Sequence, residues 1–96
     1  MNYLHYEVDV GPDDVIEVTL DKQANVLLLD DANYRDYQAG RSYRYHGGLA
    51  KISPVRLRPA HAGHWHVVVD LGGFGGSVRA SVRTIGSEAA LPHNRV

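Results

Sequence analysis

A chain of 96 residues and 10.6 kDa has room for one hydrophobic core, since a second is expected only beyond about 150 residues. Its 44% hydrophobic and 22% charged residues fit a folded globular chain and exclude a disordered one. Cysteine is absent, which removes disulfides, thiolate metal sites and cysteine nucleophiles, and a net charge of −1 argues against a nucleic-acid binder.

Glycine and proline punctuate a β pattern. Leu4, Tyr6 and Val8 alternate with Tyr3, His5, Glu7 and Asp9, the signature of a half-buried strand over 3–9. Gly11-Pro12-Asp13-Asp14 is turn chemistry. Val15–Leu20 follows, with Ile16, Val18 and Leu20 on one side and Glu17 and Thr19 on the other. Asp21–Ala24 turns the chain, and Asn25–Leu29 is apolar enough to be buried on both faces.

Asp30 or Asp31 can N-cap a short helix through Ala39, and Gly40 is placed to close it. Tyr34 and Tyr37 share one face of that helix, which is too short to persist without packing. Arg41–Tyr45 and Leu49–Ile52 are strand candidates separated by Gly47-Gly48. Val55–Arg58 alternates between prolines, as an edge strand does. On His64–Leu71, Trp65, Val67, Val69 and Leu71 point inward, and His64, His66, Val68 and Asp70 point the other way, the histidines toward solvent. After Gly72–Gly76, a flexible connection around Phe74, Ser77–Ile85 turns Val78, Ala80 and Val82 inward and Arg79 and Arg83 outward. Residues 1–86 are expected to form a single domain and 87–96 a loose tail.

Seven or eight short strands with one helical turn indicate an all-β fold, an antiparallel β-sandwich of jelly-roll-like type. Pairing of 64–71 with 77–85 in a hairpin would set Asp70 against Arg79 as an ion pair. No stretch approaches the roughly 18 apolar residues of a membrane span, and the start lacks a signal-peptide pattern, so a cytoplasmic location without membrane contact is expected.

The charge is bipolar. Residues 1–36 hold nine acids and two bases, net −7, and residues 37–96 hold eight bases and two acids, net +6. Acidic strands can fold beside basic ones, or a basic face can remain for an anionic partner. Were strands 54–59, 64–71 and 77–85 to share a sheet, Arg56, Arg58, Arg79 and Arg83 would surround His64 and His66 on one face suited to carboxylate or phosphate. A second candidate surface is the interleaved run containing Tyr34, Tyr37, Tyr43 and Tyr45 with Arg35, Arg41, Arg44 and His46. Such a run stacks against sugars, bases or protein partners, or buries its rings as a cap on the core.

His61, His64 and His66 with Asp70 form a further pattern. Histidines two apart on a strand share a face, a spacing used by β-sheet metal sites and similar to the first metal motif of cupins. The pattern departs from cupins in lacking the glutamate and a later histidine other than His93, so the primary expectation is no metal and no cofactor. Glycines 72–76 lead into a strand, without the helix that a phosphate loop requires. Ser53, Ser77 and Ser81 lack a nucleophile-elbow context, and the chain is expected not to be an enzyme.

The segments Leu4-His5-Tyr6, Glu17–Leu20, Ala24–Leu28 with Asp30, Tyr45-x-Gly47-Gly48, Ser53–Leu57 and above all Gly63-His64-Trp65-His66-Val67-Val68-Val69-Asp70-Leu71-Gly72-Gly73 carry a resemblance. Together, over about residues 2–85, they resemble a small bacterial family known as domain of unknown function 1883. The resemblance implies a β-sandwich that occurs alone or joined to other domains, TIR-type signalling domains among them, and it brings no catalytic residue. The reading is a binding or interaction module for an anionic ligand or a protein partner. The alternatives are a cupin-like metal protein using His64 and His66 and a homo-oligomerisation domain, the last predicting an apolar two-fold interface.

Overall fold

A computed structural model describes residues 3–72 and 75–86. Among these residues seven strands and one helix follow in order: β1 Leu4–Val10, β2 Val15–Leu20, β3 Ala24–Leu29, α1 Asp31–Gln38, β4 His46–Ala50, β5 Val55–Leu57, β6 Gly63–Asp70 and β7 Ala80–Ile85. Strands β1-β6-β3-β4 form one antiparallel sheet and β5-β2-β7 the other, so the fold is the expected two-sheet sandwich. Every connection except the helical one between β3 and β4 crosses from sheet to sheet, an alternation of jelly-roll-like character.

The alternating sequence pattern builds the core. Ile16 and Val18 of β2 meet Val26 and Leu28 of β3 and Trp65, Val67 and Val69 of β6, with Val78, Ala80 and Val82 packed at the margin. A second layer lies on the other side of the larger sheet, where Leu27, Leu29 and Val68 are covered by Tyr34 and Tyr37 of α1. Strands β3 and β6 therefore bury both faces, the condition for a near-continuous run of apolar residues.

Helix α1 is defined at both ends. The Asp30 carboxylate accepts from the Asn33 backbone N–H at 2.8 Å. At the other end Gly40 takes φ 74°, its N–H donates to the Tyr37 carbonyl, and the Arg41 N–H donates to that of Asp36, a Schellman closure. Eight residues are too few for stability alone. Two side-chain bonds pin the helix to β6: His66 to Asp31 near its start and Tyr37 to Asp70 near its end.

Three sequence expectations are corrected. Gly47-Gly48 does not separate two strands; both glycines lie inside β4, which replaces the candidates at Arg41–Tyr45 and Leu49–Ile52. Strand β6 pairs with β1 and β3, and β7 pairs with β2, so no 64–71/77–85 hairpin forms. The Asp70–Arg79 ion pair is consequently absent: Asp70 accepts from Asn25 Nδ2 at 3.0 Å, the Gly72 N–H at 2.8 Å and the Tyr37 hydroxyl at 3.3 Å. The C-terminal tail, 87–96, and Phe74 lie outside the described residues.

Gly47 is required by its position. It adopts φ 112°, and a side chain there would collide with the Val26 carbonyl of the neighbouring strand. Gly48, at φ 139°, has open space where a Cβ would go. Gly47→Ala is expected to cost well over about 1 kcal/mol and more than Gly48→Ala, measured by urea denaturation of the two variants.

Candidate functional site

The side chains of greatest chemical interest lie on the outer face of the larger sheet, beside α1. Alternation places His5, Glu7 and Asp9 of β1 on this face, and the pairing register sets Asp9 opposite His64 and Glu7 opposite His66. His64 Nδ1 lies 2.7 Å from Asp9 Oδ1, and Nε2 lies 2.8 Å from Glu7 Oε1. Carboxylates only accept, so with both acids ionised both ring nitrogens carry protons and His64 is an imidazolium. The Asp9 bond, followed by the Glu7 bond, raises its pKa to about 9. The same His64 bond holds the Glu7 carboxyl below its ordinary value.

A hydrogen-bonded chain adjoins this pair. His66 Nε2–H donates to Asp31 Oδ1 at 2.6 Å, and whenever that ring is neutral its Nδ1 accepts from His5 Nε2–H at 2.8 Å. His5 Nδ1 then accepts from the Tyr34 hydroxyl at 3.1 Å, and Tyr34 accepts from the Tyr3 hydroxyl at 3.1 Å. With His66 neutral, the carboxylate orders the protons along the series. Burial, then the nearby His66, lowers the pKa of His5, in keeping with its neutral form here. Burial, then the Tyr3 bond, pushes the Tyr34 phenol up to about 12. The Tyr34 ring stacks on both imidazoles, at centroid separations of 4.1 Å from His5 and 4.4 Å from His66.

The expected metal cluster is regrouped. His64 and His66 do project on one face, but His66 is buried and not turned to solvent, because α1 covers that side of the sheet. His61 does not join them; its Nδ1 bonds the Ala62 carbonyl and its ring lies against Trp65. Asp70 is occupied by the Asn25, Gly72 and Tyr37 bonds. Glu7, His5, Asp9 and Asp31 take their place. The alternation of 3–9 was readable in the sequence, but its pairing with 63–70 was not.

The expected arginine face also divides. Arg56 and Arg83 stand on β5 and β7, in the smaller sheet, away from His64 and His66, since β6 belongs to the larger one. Both lie opposite Glu17 of β2 in register, and their Nε atoms donate to its two carboxylate oxygens at 3.1 and 2.6 Å. Glu17 is buried beneath them, its carboxyl held below the ordinary value first by Arg83 and then by Arg56. Arg58 donates to the Asp13 carbonyl at 3.2 Å. Arg56, Arg58 and Arg83 line a depression of about 540 Å³ together with Val15, Thr84, Ile85 and Gly86. Arg79 is not part of its lining; the Arg79 N–H instead donates to Asp21 Oδ1 at 2.8 Å.

Among the tyrosines, Tyr34 and Tyr37 are buried on the inner side of α1, while Tyr45 is half exposed beside a smaller cleft shared with Arg44, His46 and Trp65. No helix among the described residues is long and apolar enough to cross a membrane.

A family model described as domain of unknown function, DUF1883, matches residues 1–88. No curated protein and no solved structure matches the chain.

The His64 cluster has a defined pH signature in metal-free buffer. A pKa raised from 6.5 to about 9 gives stabilisation that is complete below about pH 6.5 and is lost as pH rises through about 9. Ring-proton NMR is expected to place the His64 titration near the upper value. The alkaline fall in melting temperature is expected to shrink in His64→Gln.

Proposed function

Because the chain belongs to the DUF1883 family, whose description assigns no activity, we propose a function from its own surface: a non-enzymatic bacterial, cytoplasmic module that binds a compact anionic group. Its site is the depression lined by Arg56, Arg58 and Arg83, and the ligand class is phosphate or carboxylate. The observation that carries this reading is the pair of arginines fixed on buried Glu17. Their bonds to it run through both Nε atoms and Nη2 of Arg56, so Nη1 of Arg56 and both Nη atoms of Arg83 have no protein partner among the described residues.

Two guanidinium groups already ordered by the protein lose little further freedom when a ligand arrives. The three arginines that line the depression outnumber Glu17 and the Asp14 carboxylate beside Gly86, while Val15 and Ile85 supply an apolar wall. A planar guanidinium gives two parallel donors to a carboxylate or phosphate, which a lysine ammonium does not.

Melting curves in phosphate and in citrate, against chloride at matched ionic strength, test the reading. A ligand at about 100 times its Kd adds roughly 2.7 kcal/mol, a rise of several degrees for a domain of this size. Arg58→Ala leaves the Glu17 bonds intact and is expected to shrink the rise. Absence of any rise, or an equal rise in Arg58→Ala, would sink the proposal.

A further inference from the structure

We infer that Glu7, His64 and His66 form a site for one divalent transition-metal ion of the zinc class. One potential ligand atom from each residue lies within 4.8 Å of the other two. Two imidazole nitrogens and a carboxylate oxygen are a donor set that suits zinc, and three protein ligands leave a tetrahedral ion one position for water or a ligand. This site is separate from the arginine depression: it occupies the outer face of the larger sheet, whereas the arginines stand on the smaller one.

The surroundings resemble an outer coordination shell. Asp9 holds His64 through Nδ1 at 2.7 Å, and Asp31 holds His66 through Nε2 at 2.6 Å. A carboxylate on the far nitrogen of each ring is the usual way that proteins orient metal-binding histidines and raise their basicity. With those bonds kept, Nε2 of His64 and Nδ1 of His66 remain for the ion, and Glu7 Oε1 already stands 2.8 Å from the former. Binding displaces the proton between His64 and Glu7 to solvent, and the His5 N–H that His66 Nδ1 accepts turns away.

Access and rigidity also favour this site. The side chains of His64 and Glu7 retain 36% and 56% of their exposure, so an ion reaches them from solvent, while that of His66, at 9%, is clamped under Tyr34. All three ligands stand on two paired strands, which fixes their spacing better than a loop does. The carboxylates of Glu7, Asp9 and Asp31 offset the charge of the ion and of any histidine that stays protonated.

Calorimetric titration of the chelator-treated chain with zinc chloride tests the assignment, with cobalt(II) absorption as a second readout. The expected result is one ion per chain, a melting temperature that rises with zinc and falls back with EDTA, and the intense visible bands of low-coordinate cobalt. Glu7→Gln, at an exposed edge-strand position, keeps the fold and is expected to weaken binding at least about tenfold, and Asp9→Asn about 10- to 100-fold. His61→Ala is expected to bind as the native chain does. No saturable binding, or zinc affinity unchanged in both Glu7→Gln and His64→Ala, would overturn the inference.

Discussion

Strand β6 has to bury both of its faces. Trp65, Val67 and Val69 enter the space between the sheets, while His66, Val68 and Asp70 lie on the opposite side. Two of those three are polar, and burial of a polar group is tolerated only where its hydrogen bonds are made. Helix α1 answers that requirement, and β6 in turn holds the helix. His66 and Asp70 find partners in Asp31 and Tyr37, and the helix gains attachments near both ends that its own length cannot provide. No buried side-chain nitrogen or oxygen among the described residues lacks a partner.

The bipolar charge of the chain resolves in the same way. Acids from the first third stand beside bases and histidines from the remainder: Glu17 between Arg56 and Arg83, and Glu7 and Asp9 around His64. Charge separated along the sequence is thereby matched across strands, mostly by non-local pairing. The exception is the arginine depression, where one buried carboxylate holds Arg56 and Arg83 and Arg58 bonds only the Asp13 carbonyl.

Local pattern was enough to read most of the elements. Period-two alternation located β1, β2, β6 and β7 and their inward residues, and the Asp30 and Gly40 positions bracketed the helix. Strand β4 escaped because glycines usually end strands, whereas Gly47 is there to let the backbone approach β3. What local pattern does not contain is which strands become neighbours. Trp65 and Val78 face the same core whether β6 and β7 pair in one sheet or sit in two. An arginine face that spans β5, β6 and β7 needs all three in one sheet, and with β6 in the other sheet only Arg56, Arg58 and Arg83 line one depression. The partnership of Glu7 with His64 depends on a pairing more than 50 positions apart in sequence. The H-x-H spacing was visible; its carboxylates were not.

The bonded series from Tyr3 through Tyr34, His5 and His66 to Asp31 has a direction. While both rings are neutral, each hydroxyl or ring nitrogen gives its proton forward because the next atom is free to receive it. Neutralising the terminal carboxylate removes the group that sets this order, so the tyrosine hydroxyls and ring tautomers upstream can reverse as a set. The beginning of the chain and the start of its helix thus share one electrical polarity, relayed by protons while the heavy atoms of the rings keep their places.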